Sequence, residues 1–243
     1  MAPAGYGASV EGVHAVAAAA AAGRIEHLWV ERGRDRRPDV AAILGLVPRG
    51  AVTVVDDVRS MAETTAPQGV VARCRPILPL DLNAFRERTD AVMVLDHVED
   101  PHNLGAVARS VAAAGLGGLV VPARRSAPLS AAAFKAAAGA LERVPVALVS
   151  SIPDAIARLK DLGMWAVGLS AVAGQSLFGL DLLTEPVAMV VGAEGSGLSR
   201  LTAERCDVLV SIPMSAETES LNASVAAALA AYEVMRVRAA GRT

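Results

Sequence analysis

The stretch Ala91–Gly115 reads AVMVLDHVEDPHNLGAVARSVAAAG, and its reading decides the fold. The first five residues, Ala91–Leu95, form an unbroken apolar run, the pattern of a strand covered on both faces. Asp96–Pro101 switches to polar and turn-forming types. Asn103–Ala114 then carries apolar residues at helical spacing, with Asn103 as candidate N-cap and Gly115 as the stop. A buried strand feeding a helix through a short polar turn is half of a β-α-β unit, whose strands run parallel.

Outward from this unit the alternation continues. Gly118–Val121, Val146–Val149, Met164–Leu169, Val187–Val191 and Val208–Ile212 read as strands. Ser130–Leu141, Pro153–Leu162, Leu198–Arg205 and Leu221–Arg238 read as helices. The expected fold over 90–243 is α/β, a mostly parallel sheet with helices on both faces. Residues 8–75 give a smaller α/β unit. It has helices at Val10–Ala22, Pro38–Leu46 and Asp57–Glu63, and strands at Ile25–Val30, Ala51–Val55 and Gly69–Arg73. Residues 76–89, with Pro76, Pro79 and a charged stretch lacking an apolar period, are the expected linker.

Composition narrows the function classes. The 243 residues include 50 alanines and only 3% aromatics, so the core must consist of thin side-chain layers. An apolar content of 53% excludes a disordered chain. No apolar run approaches the roughly 18–20 residues of a membrane span, and no basic-then-apolar segment opens the chain as a signal peptide would. Cys74 and Cys206 stand far apart, and His14, His27, His97 and His102 complete no zinc spacing, so no metal is expected. Two unpaired thiols suit a reducing cytosol, and the expected location is cytoplasmic. A net charge of −2 argues against a protein that coats nucleic acid non-specifically. Arg32, Arg34, Arg36 and Arg37 cluster beside Glu31 and Asp35. They read as a solvated loop with its own counter-charges, with a phosphate contact as the alternative.

Parallel sheets take ligands beyond the carboxyl ends of their strands. Three polar, glycine-bearing blocks fall at such ends: Asp96–Ser110, Gly192–Leu198 and Ile212–Ser224. Singly, each has a plain structural reading. Gly192–Leu198 is a glycine-rich turn, or a phosphate cradle that lacks the lysine of a nucleoside-triphosphate loop. Asn103 is a helix cap. Arg109 snorkels from an alanine-rich helix. Ser220 and Asn222 open another helix.

Taken together, DPHNLGAVARS (Asp100–Ser110), VVGAEGSGL (Val190–Leu198) with Leu201–Thr202, and IPM (Ile212–Met214) with SLNASV (Ser220–Val225) resemble the SpoU (TrmH) family of RNA ribose 2′-O-methyltransferases. Arg125–Ala127 (RSA) is similar to the bacterial 23S rRNA guanosine-2′-O-methyltransferase branch. VEGVHAV (Val10–Val16) and QGVVAR (Gln68–Arg73) resemble that family's substrate-binding domain. The resemblance implies a SPOUT-like deep trefoil knot in the C-terminal domain and an L30e-like RNA substrate-binding domain before it. It implies S-adenosyl-L-methionine as cofactor, RNA (23S rRNA first) as partner, and a homodimer. It carries cofactor contacts over to Gly192, Ile212 and Leu221, and the catalytic set to Asn103, Arg109, Glu194, Ser220 and Asn222. Because guanidinium stays protonated, Arg109 is expected to stabilise a developing alkoxide, with Asn103, Ser220 and Asn222 fixing it and the ribose. Glu194 is expected to orient Arg109 or the terminal helix. The alternative is a non-catalytic RNA-binding or ribosome-assembly factor of the same fold. Two positions depart from the family pattern: Glu219 before Ser220, and Ala66-Pro67-Gln68-Gly69 without a histidine.

Overall fold

The computed structural model describes residues 5–215, 217 and 220–240; Glu219 lies outside the described residues. In chain order the elements are β1 (Ser9–Glu11), α1 (Val13–Ala21), β2 (Ile25–Glu31), α2 (Pro38–Leu44), β3 (Val52–Val55) and β4 (Val70–Cys74). There follow α3 (Phe85–Arg88), β5 (Ala91–Asp96), α4 (Pro101–Ala114), β6 (Leu119–Pro122), α5 (Ala131–Ala137), β7 (Val146–Val149) and α6 (Ile152–Asp161). The chain continues through β8 (Trp165–Leu169), β9 (Gln175–Ser176), β10 (Val187–Gly192), α7 (Arg200–Arg205), β11 (Val208–Ser211) and α8 (Ala223–Ala240).

These elements build two sheets. The first has the order β1-β4-β2-β3 and mixes antiparallel with parallel pairs. The second has seven strands, all parallel, in the order β7-β6-β5-β10-β8-β11-β9. Alternation along β5 explains its unbroken apolar run. Met93 and Leu95 pack with Val107 and Val111 of α4 and Ala227 and Ala230 of α8. Val92 and Val94 pack on the other face with Phe85 of α3 and Ile156 and Leu159 of α6. The first sheet, with α1, shares the α4 and α8 side of this core through Val10, Leu28 and, on α1, Val16.

Several local expectations are corrected. Val10–Glu11 is an edge strand paired with β4, and the helix starts only at Val13, whose N–H donates to Gln68 Oε1 at 3.1 Å. Asp57–Glu63 is no α-helix but carries a single 3-10 turn, Arg59–Met61. There, side chains take the amides a helix would use. Arg59 N donates to Asp57 Oδ1 at 2.8 Å, and the buried Glu11 carboxylate accepts from Glu63 N and from Thr64 Oγ1 at 2.5 Å. Ser130–Leu141 breaks after Ala137, where Ala138 and Gly139 adopt φ of 48° and 88°. A Cβ on Gly139 would lie 2.7 Å from Ala18 Cβ, so glycine lets α1 dock against this turn. Residues 76–89 are packed: Leu80 N donates to Val146 O of edge strand β7 at 2.8 Å, and Leu82 and Phe85 are buried.

Candidate active site

The carboxyl ends of β8, β10 and β11 surround a cleft of about 160 Å³. Leu169, Val191, Ile212, Met214 and Leu221 supply apolar walls, and Gly192, Gly195 and Gly197 a bare main-chain rim. Among the described residues, the main chains of Ile212 and Leu221 have no backbone partner, so their donors and acceptors remain for a ligand. The expected cofactor residues Gly192, Ile212 and Leu221 thus meet at one cleft.

Glycine at 192 has a structural reason of its own. A Cβ there would lie 2.1 Å from Gly197 C and 2.4 Å from Leu198 N. The loop after β10 folds back on its own strand end, with Ala193 N donating to Gly197 O at 3.1 Å and Gly197 N to Ala193 O at 3.0 Å. Glycine is required by this closure, before any ligand is considered.

Beside the cleft lies a polar cluster drawn from all three blocks. The N-cap of α4 is Asp100, whose carboxylate accepts from His102 N at 2.8 Å; it is not Asn103. Pro101 takes the first helical position, where a missing N–H costs nothing. Asn103 sits inside the first turn, 8% exposed, with its amide free to reach across. Its Nδ2 donates to Glu194 Oε1 at 2.9 Å, and its Oδ1 accepts from Asn222 Nδ2 at 3.1 Å. Asn222 Nδ2 also donates to Glu194 Oε1, and Ala223 N does so at 3.3 Å. Asn222 Oδ1 accepts from Ser224 N at 2.8 Å and Ser224 Oγ at 2.6 Å, capping α8. Glu194 therefore anchors the start of the terminal helix and makes no bond to Arg109.

Ser220 is exposed and lines the cleft next to Leu221. Arg109 is not brought to the cluster. Six residues beyond Asn103 it emerges on a different face of α4, exposed, in a separate groove with His14 and Arg143. Sequence reasoning missed Asp96. Fully buried at the end of β5, it accepts from His97 Nδ1 at 2.6 Å and from Ser199 N at 2.8 Å, tying the first block to the second. An aspartate closing an apolar strand was the available signal.

No group of His, Cys, Asp and Glu among the described residues could hold a metal ion. Burial pushes the Cys206 thiol up to about 12 and the Cys74 thiol up to about 11, so neither is a nucleophile near neutrality. Within the arginine cluster, Arg32 pairs with Asp56 and Arg37 with Asp39, not with the expected Glu31 and Asp35; Asp35 instead accepts from Gly33 N at 3.0 Å.

Residues 90–232 match the SpoU rRNA Methylase family, and residues 9–79 match the RNA 2′-O ribose methyltransferase substrate binding family. The chain is 38% identical over 240 residues to the 23S rRNA (guanosine-2′-O-)-methyltransferase RlmB of Pseudomonas putida, covering 94% of this chain and 96% of that one. It is 40% identical over 239 residues to RlmB of Yersinia pestis, covering 94% and 97%. Among solved structures, the SpoU methyltransferase AviRb from Streptomyces viridochromogenes in complex with AdoMet superposes with a TM-score of 0.79. There the identity is 27%, over 95% of this chain and 90% of that one.

Proposed function

This chain belongs to the SpoU rRNA methylase family, and we propose that it transfers a methyl group from S-adenosyl-L-methionine to a ribose 2′-hydroxyl of 23S ribosomal RNA. The observation that carries this reading is the meeting of the Asn103–Glu194–Asn222 cluster with the apolar, main-chain-rimmed cleft at Gly192, Ile212 and Leu221. Those residues fit the cofactor: apolar walls suit the adenine face, and the unpaired main-chain groups of Ile212 and Leu221 suit its polar edges. Bound there, it supplies an electrophilic methyl on a sulfonium.

The chain's own part is positioning. Asn103 and Asn222, locked by Glu194 Oε1, keep the two cofactor loops and the start of α8 in register. Ser220, exposed at the cleft mouth, orients the ribose. Arg109 stabilises the 2′-alkoxide as its proton leaves through phosphate or water. Since Arg109 opens into another groove of its own chain, the reading requires two copies that share a site, one lending the cofactor loops and the other Arg109. An unpartnered stripe on α8 suits such a homodimer: Val225, Tyr232 and Met235 are 46%, 46% and 39% exposed, at helical spacing with Ala228.

On the same reading, 8–75 is the RNA substrate-binding domain, 90–243 the knotted catalytic domain, and the location cytoplasmic. No helix among the described residues is long and apolar enough to cross a membrane. The test is incubation with radiolabelled S-adenosylmethionine and unmodified 23S rRNA, followed by mapping of riboses that resist alkaline cleavage. One protected ribose is expected. Binding without incorporation would favour the ribosome-assembly alternative.

A further inference from the structure

A groove of about 640 Å³ opens where α1 and the turn after α5 meet the C-terminal half of α4. It shares no residue with the cofactor cleft. Small apolar residues floor it, among them Ala112, Ala137 and Ala140, while His14, Arg109 and Arg143 line it and are exposed. No carboxylate lines it. Among the described residues, none of these three side chains makes a hydrogen bond or ion pair, whereas Arg32, Arg59, Arg200, Arg236 and Arg238 are each matched by an acid.

Glu142, next to Arg143 in sequence, cannot offset it. Arg24 from the first unit holds both Glu142 oxygens, Nε to Oε2 at 2.7 Å and Nη2 to Oε1 at 2.5 Å, with the carboxylate side chain only 3% exposed. The wall is also built. The successive left-handed residues Ala138 and Gly139 end α5 abruptly and turn the chain so that Arg143 reaches the groove. In a chain of net charge −2, this is a shaped pocket of uncompensated positive charge between the two units.

We propose that this groove is a subsite for the RNA backbone: Arg143, with Arg109 at its edge and His14 opposite, grips a phosphodiester of the strand that carries the target ribose. The inference rests on the RNA methyltransferase reading. Guanidinium groups match phosphate oxygens with two parallel bonds. No Phe, Tyr or Trp lines the groove, and its one ring, the His14 imidazole, stands among guanidinium groups, so the groove suits backbone phosphate better than stacked bases. Its position lets one strand touch both units while it leads to Arg109.

The test is equilibrium binding of a 23S rRNA fragment to the full chain at several salt concentrations, with steady-state methylation and cofactor calorimetry alongside. Arg143→Ala is expected to weaken RNA binding about tenfold and to lower the salt slope by about 0.7–0.9, one phosphate contact. It should raise the KM for RNA with kcat and cofactor affinity little changed. Arg143→Lys should restore most of the salt slope but less of the affinity, which a purely structural role would not do. Unchanged affinity and slope in Arg143→Ala, while the parent methylates RNA, overturns the subsite alone. Equal competition by polyglutamate would assign the groove to an acidic protein and also overturn it. A parent that neither binds nor methylates RNA fails the underlying reading, and this inference with it.

Discussion

Gly192→Ala separates two explanations of the same glycine. If glycine is present only to let the cofactor approach, the ligand-free protein should tolerate a methyl group. The structure says otherwise: the added Cβ would lie 2.1 Å from Gly197 C and 2.2 Å from Gly197 O, where ordinary contact begins near 3.4 Å. The colliding atoms are backbone, so no side chain can swing aside, and the loop must retreat by about 1 Å. Such overpacking costs about 1–3 kcal/mol, and loosening the two Ala193–Gly197 hydrogen bonds adds about 1 kcal/mol. For a chain of this length the melting temperature should fall by roughly 5–10 °C without any ligand. Because Ala193, Gly195 and Gly197 line the cleft, S-adenosylmethionine affinity should fall at least about tenfold as well. Gly195→Ala is the control. Nothing lies within 4 Å of its added Cβ, so only the left-handed strain at φ 77° is charged, about 1 kcal/mol. Differential scanning calorimetry and titration calorimetry read both quantities. An unaltered ligand-free melting temperature in Gly192→Ala, with only cofactor binding lost, would refute the loop-closure argument.

Asn222 has two separable duties. Asn222→Ala should lose both the helix cap, about 1 kcal/mol, and methyl transfer, whereas Asn222→Ser should keep the cap and most of the melting temperature but not the activity. The thiols should be silent: with Cys74 and Cys206 pushed up to about 11 and 12, both stay protonated at pH 8, and alkylation should be slow until denaturant exposes them. Rapid reaction of the buried Cys74 or the half-buried Cys206 in the native protein would contradict their raised thiol pKa values. On α8, Ala230 is fully buried in its own chain, so Ala230→Arg should unfold the domain. Tyr232→Arg, on the exposed stripe, should instead give folded monomers of low activity, and a parent that sediments as a monomer at micromolar concentration would sink the dimer.

Much of this molecule is legible in its residues because the signals are local. The unbroken apolar run Ala91–Leu95 already implies a strand covered twice, since any polar side chain there would be stranded in the core. The three polar blocks at strand ends mark where a parallel sheet takes ligands, whatever the strand order. Their motif types bring the family likeness and, with it, the cofactor. What one-dimensional spacing does not contain is which groups meet. Asn103 and Glu194 are 91 positions apart and touch because β5 and β10 are neighbours in the sheet, a non-local pairing. Arg109, six positions from Asn103, lies in another groove because the helix turns it away. Likewise the cap falls on Asp100, the helix after Ser130 breaks where α1 needs to dock, and Gly192 answers to Gly197. Of these, the break after Ala137 was decided by packing against α1, distant in the chain, whereas the Asp100 cap and the Gly192–Gly197 closure are short-range contacts that only the folded loop geometry selects.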